Sequence, residues 1–84
     1  MWQIYYSSQA SKFIKRLSGE TKERIKLAIE SLQINHDLGK QLTGSLKGLR
    51  SLRVGNYRVI YKKELDELII LIVAVGHRKN VYRG

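Results

Sequence analysis

No cysteine occurs in the chain and no Cys/His cluster has metal-ligand spacing, which excludes disulfides and structural zinc. Stability must therefore come from packing the 43% of residues that are apolar. Long apolar runs are also missing. The longest, Leu68 to Val75, is far short of the roughly 20 residues a membrane helix needs, and Met1 leads directly into apparent structure instead of a signal peptide. The expected location is the cytoplasm, with no membrane partner. With 84 residues the chain has no spare core to divide, because a domain of this size buries only about 60% of its unfolded surface. Residues 1–84 therefore read as one domain. There is no Ser/His/Asp order, no carboxylate pair among the basic residues and no phosphate-cradling Gly-x-x-x-x-Gly-Lys. A nuclease built from this chain would work without a metal, and no cofactor is expected.

Acidic residues are scarce. Seven Asp and Glu stand against 16 Lys and Arg, a formal charge of +9, and repulsion on that scale opposes compaction unless an anionic partner offsets it. The excess is unevenly spread: 7 basic and 4 acidic groups in residues 1–46, 6 and 0 in 47–63, 0 and 3 in 64–76, and 3 and 0 in 77–84. Basic charge concentrates in the second half. No basic amphipathic helix carries a large aromatic face, so nucleic acid is a better partner than a membrane surface.

The periodicity predicts an α+β fold. Residues 2–6 alternate as a short strand, with Trp2, Ile4 and Tyr6 on one side. Ser7 or Ser8 can cap a helix whose Ala10, Phe13, Ile14 and Leu17 share a face, and Ser18-Gly19 ends it. A second helix carries Ile25, Ala28, Ile29 and Leu32, and the short link makes the pair an antiparallel hairpin. From Asn35 to Gly48 the period fades into a loop with three glycines. Leu49–Val54 and Tyr57–Lys63 then read as strands joined by Gly55-Asn56, a two-residue turn with glycine first. That turn sets Val54 against Tyr57, Arg53 against Arg58, Leu52 against Val59 and Ser51 against Ile60. The run Leu68–Val75 is apolar on both faces, as a central strand should be, and completes a three-stranded antiparallel meander in one small sheet.

Leu52, Val54, Tyr57, Val59 and Tyr61 make one sheet face, suited to receive the helices. The opposite face mixes Arg53, Arg58 and Lys62 with Ile60, Ile69, Leu71 and Val73, and such a face invites a partner. Two directly opposed arginines destabilise a sheet unless an anion lies between them, and a phosphate fits that need. Lys47, Arg50 and Lys62 extend the basic region with no evident acidic neighbour, although strand alternation points Arg50 to the other face. The segment Gly76-His77-Arg78-Lys79-Asn80-Val81-Tyr82-Arg83 follows the last strand and is expected to bring His77, Arg78, Lys79 and Tyr82 near these cations. His77 alone among them has an unperturbed range suited to proton transfer near neutrality.

Three blocks, Lys40-Gln41-Leu42-Thr43-Gly44, Leu52-Arg53-Val54-Gly55-Asn56-Tyr57-Arg58-Val59-Ile60-Tyr61 and Val75-Gly76-His77-Arg78-Lys79-Asn80-Val81-Tyr82, resemble the RelE branch of the RelE/ParE toxin superfamily in order and spacing. The resemblance covers essentially the whole chain. It implies a RelE-like fold and a toxin of a type II toxin–antitoxin system that cuts messenger RNA on the ribosome. A cognate antitoxin would block the basic face, with the toxin itself a monomer that enters a hetero-oligomer. Carried over, Arg58 holds the scissile phosphate, Arg78 is the second phosphate-binding arginine and Tyr82 the aromatic site residue, with His77 a candidate acid or base. Lys47, Arg50, Arg53, Lys62 and Lys79 would bind RNA, and an amphipathic antitoxin segment would lie across Ile60, Ile69, Leu71 and Val73. In one place the pattern breaks: Ser51 stands where ribonuclease members carry a catalytic lysine, two residues before Arg53. Two alternatives stay open: a non-catalytic inhibitor of DNA gyrase like the ParE branch, and an inactive member that only binds its antitoxin.

Overall fold

The computed structural model describes residues 2–79. Strand β1 (Gln3–Tyr6) leads into helices α1 (Ser8–Arg16) and α2 (Gly19–Ser31). A two-residue strand β2 (Lys40–Gln41) and a single 3-10 turn (Gly44–Leu46) precede β3 (Arg50–Val54), β4 (Tyr57–Glu64) and β5 (Ile69–His77). The sheet order is β1-β5-β4-β3-β2, with β1 parallel to β5 and the other pairs antiparallel. The expected α+β class and the β3–β4–β5 meander are present. The sheet has five strands because β1 joins its far edge and β2 forms inside the segment read as a loop. Two residues carry no readable period; Lys40 and Gln41 become a strand because β3 offers them an open edge.

Both helices cover one sheet face. Ala10 and Ile14 of α1 and Ile25 and Ile29 of α2 share a core with Leu52, Val59, Tyr61, Ile70, Ile72 and Val75. Val54 and Tyr57 pack against its margin, so the face assigned to the core from sequence is the core face. The Ser7 hydroxyl caps α1 by accepting from the Ala10 N–H (3.1 Å) and donates to the Val73 carbonyl (2.7 Å), tying the helix start to β5.

The predicted hairpin register is the observed one, from Val54↔Tyr57 through Ser51↔Ile60. Gly55 adopts φ +60°, the left-handed conformation that a glycine-first two-residue turn requires. Between β4 and β5 the ladder slips: Ile60 pairs with Ala74 but Tyr61 pairs with Ile72, which leaves Val73 as an extra residue in β5. The bulge reverses the alternation of β5. Ile70 and Ile72 are buried in the core before it, and Val75 after it. Without the extra residue, Ala74, Gly76 and the position after His77 would fall on the helical side.

Candidate nucleic-acid interface

On the sheet face away from the helices, Arg53, Arg58 and Gly76 form one row across β3, β4 and β5. The Arg78 N–H donates to the Asn56 carbonyl at 2.9 Å and carries the β4–β5 ladder one step further. Arg78 is an exposed turn residue just past the end of β5, diagonal to Arg58 across the extended ladder, where Cα atoms lie about 7–8 Å apart. Gly76 puts no side chain between them. Arg53 and Arg78 are exposed, Arg58 is half-buried, and the Arg53 Nε–H reaches the Gly55 carbonyl at 3.3 Å. Arg53, Arg58 and Arg78 thus stand near the hairpin end of the sheet, on the side away from the helices, and guanidinium groups so placed suit bidentate binding of a phosphate.

His77 is not part of this group. It pairs with Tyr57 on the helical side of the sheet, its ring edge-on to Tyr57 (centroids 5.8 Å), and Tyr57 in turn meets Phe13 of α1 (6.0 Å). The expectation that His77 would join the cations is corrected by the bulge, which sends Gly76 and Arg78 to one face and His77 to the other. Lys79 follows as an exposed turn residue whose N–H approaches His77 Nδ1 at 3.4 Å. Tyr82 lies outside the described residues.

Two further cations are neutralised, contrary to the expectation that no acid stands near them. Lys62 forms an ion pair with Glu64 at 3.0 Å, because i and i+2 share a strand face. Arg50 projects to the helical side, as alternation demanded. Its Nη2 donates to the Asp37 carbonyl (3.0 Å) and to the Gly39 carbonyl (2.5 Å), and Nη1 lies 3.8 Å from the Asp37 carboxylate. Lys63 also donates to the Asp37 carboxylate. That hydrogen bond, opposed by some desolvation and reinforced by the charges of Lys63, His36 and Arg50, holds the Asp37 carboxyl below its ordinary range. Arg50 is therefore a clasp for the 37–39 loop. Lys47 is exposed and lines an open cavity of about 400 Å³ with Gln41, Thr43, Arg50 and Lys63, away from the arginine row.

The apolar part of the open face is smaller than expected. Ile69, Leu71 and Val73 are partly exposed, but Ile60 is only 4% exposed and offers no surface for a partner. It occupies the middle of β4 between Ser51 and Ala74, with Arg58 and Lys62 on the same face two residues to either side. Ser51 is also buried, at 5% exposure. Its other neighbour is Lys40 of β2, directly across the ladder and exposed. Lys40 opens one of the three family-like blocks but was absent from the sequence-derived set of site residues, since its place beside Ser51 depends on a two-residue strand.

A family model described as the ParE toxin of type II toxin–antitoxin system, parDE, matches residues 4–82. Toxin RelE3 of Methanocaldococcus jannaschii is 32% identical over 85 residues, a match covering 95% of this chain and 94% of that protein. Toxin RelG of Mycobacterium tuberculosis is 37% identical over 46 residues, about half of each protein (55% of this chain and 53% of RelG). Among solved structures, the RelB–RelE antitoxin–toxin complex from Methanococcus jannaschii aligns with a TM-score of 0.71 at 29% identity, covering 93% of this chain and 94% of the matched one.

Proposed function

The chain belongs to the ParE toxin family of type II toxin–antitoxin systems, within the RelE/ParE superfamily, and from that premise we propose that it is a ribosome-dependent messenger-RNA endoribonuclease. The observation that carries this reading is the gathering of Arg53, Arg58 and Arg78 on one open sheet face beside the side-chain-free Gly76. In the reaction, the RNA 2′-hydroxyl attacks the adjacent phosphate and the bond to the 5′-oxygen breaks, leaving a 2′,3′-cyclic phosphate and a 5′-hydroxyl. Arg58 and Arg78 hold the phosphate and stabilise the charge that builds on its oxygens in the transition state, while Arg53 steadies the strand from β3. Donors fixed in advance by a sheet cost no reorganisation at the moment of reaction, which is why they are effective there. Tyr82 completes the set by resemblance. RNA flanking the cut would run over Lys79 on one side and toward Lys47 on the other.

An antitoxin is the expected protein partner, in keeping with the RelB–RelE complex among the structural relatives. Its apolar contacts fall on Ile69, Leu71 and Val73, with acidic side chains answering the arginine row. The test is primer extension on a message translated in vitro, comparing wild type with Arg58→Ala on ribosome-bound and free RNA. Codon-positioned cuts that need ribosomes and fall about 10²-fold to 10³-fold in the variant support the reading. The ParE description of the matching family model favours one second reading, a non-catalytic inhibitor of DNA gyrase. Inhibition of supercoiling by the purified protein with no RNA cut under either condition would select it.

A further inference from the structure

The arginine row can bind and polarise a phosphate but is a poor proton donor, since guanidinium groups stay protonated at neutral pH. The bond to the 5′-oxygen breaks as an alkoxide, so a proton donor is needed near the row. His77, the candidate acid or base, lies on the opposite face, and the ammonium of Lys62, expected to bind RNA, pairs with Glu64. Lys40 remains. It stands directly across from Ser51, and Ser51 from Ile60, so all three point to the open face. Lys40 is exposed and makes no ion pair among the described residues. Arg53 is two residues from Ser51 along β3, and with strands about 4.8 Å apart and a rise of about 3.3 Å per residue, the Cα atoms of Lys40 and Arg53 lie about 8 Å apart. Those of Lys40 and Arg58, two strands away, lie about 12 Å apart by the same spacings. Long side chains converging from these positions reach a common phosphate. Ser51, which stands between them on β3, carries only a short side chain.

We propose that Lys40 is a catalytic residue of this site, the proton donor to the departing 5′-oxygen; the proposal rests on the ribonuclease reading above. As the 2′-oxygen bonds to phosphorus its proton passes to water, the phosphorus–O5′ bond breaks, and the Lys40 Nζ delivers a proton to O5′. One proton leaves the substrate and one enters it, and the neutral amine is reprotonated by solvent. No oxidant, reductant or co-reactant is involved.

The experiment measures single-turnover cleavage of a ribosome-bound synthetic message by wild type, Lys40→Ala and Lys40→Arg. A second message replaces the bridging 5′-oxygen at the cut with sulfur, whose thiolate leaves without a proton. The expected result is a loss of about 10²-fold or more in the cleavage rate for both variants on the normal message, within the range of general acid catalysis. Lys40→Arg keeps the charge and the binding but stays slow. On the sulfur message both variants recover to within a few-fold of wild type, which a merely structural role would not produce. Equal cutting of the normal message by wild type and Lys40→Ala overturns the proposal alone. Recovery by Lys40→Arg on the normal message overturns it in favour of simple charge, and a slow Lys40→Ala on the sulfur message overturns it as well. A wild type that cuts neither message overturns the ribonuclease reading and this proposal with it.

Discussion

Tyr61 shows how much one side chain can do when it is buried with its polar tip satisfied. It is fully buried, its hydroxyl donates to the His36 carbonyl at 2.9 Å and accepts from the Gly39 N–H at 3.0 Å, and so it pins the loop after α2 to the sheet. Tyr61→Phe keeps the ring and strands both backbone partners. A loss of about 1–3 kcal/mol in urea denaturation is expected, since the cost is that of leaving buried polar groups unpaired. The same loop is clasped from outside by Lys63 and Arg50, which meet its Asp37 carboxylate. Because the folded-state carboxyl is held below its ordinary range, its contribution is present above the unfolded pKa, near 3.9, and is lost as pH falls through the lower folded value. Asp37→Asn should flatten the acid limb of a denaturation-midpoint profile between about pH 2 and 5. Tyr61 was legible in the sequence as a core residue by strand alternation. Its hydroxyl partners were not, because His36 and Gly39 lie in a segment without a period.

At the scale of elements, the decisive feature is the bulge at Val73 and the way α1 secures it. Beyond Tyr6 no strand among the described residues lies beside the edge of β5, and Gln9 of α1 takes that role: its Nε2 donates to the Val75 carbonyl (2.9 Å) and its Oε1 accepts from the Val75 N–H (3.0 Å). With the Ser7 N–H donating to the Ile72 carbonyl (2.9 Å) and the Ser7 hydroxyl to the Val73 carbonyl, the start of α1 grips β5 on both sides of the bulge. Gln9→Ala should cost about 1–2 kcal/mol, from two lost hydrogen bonds. Faster hydrogen exchange at the Val75 amide, with the Ile70 amide changed only by the global loss, is the measurement that checks it. The β3–β4 hairpin, by contrast, was readable to the exact pairing. A two-residue turn leaves one register available, whereas a bulge depends on how β4, β5 and α1 fit together.

For the whole molecule, a charge of +9 would make the proposed RNA binding salt-dependent, and the structure sets particular cations beside carboxylates. Arg50, Lys62 and Lys63 answer Asp37 or Glu64, while Arg53, Arg58, Arg78 and Lys40 share the open face. If those four meet phosphates, the log–log slope of single-stranded RNA affinity against salt should be about −3, from roughly −0.7 per contact. Arg53→Ala should reduce its magnitude by about 0.7, and Lys62→Ala should leave it nearly unchanged, as filter binding over a salt series would show. The total charge was a matter of counting. Which cations meet a carboxylate was decided by where folding places Asp37 and Glu64.

Composition and local periodicity were enough to determine a small basic α+β domain, its helical face, the β3–β4 register and the opposition of Arg53 and Arg58. Each of these follows from interactions a few residues apart or from the two-residue repeat of a strand. Only the tertiary structure decided that Arg78 joins Arg58 while His77 faces α1, that Ile60 is covered, and that Lys40 stands beside Ser51. Those outcomes turn on one extra residue in β5 and on a two-residue strand at the far edge. Both are set by backbone hydrogen bonds between segments distant in the chain, and no local pattern of side chains encodes where such bonds will close.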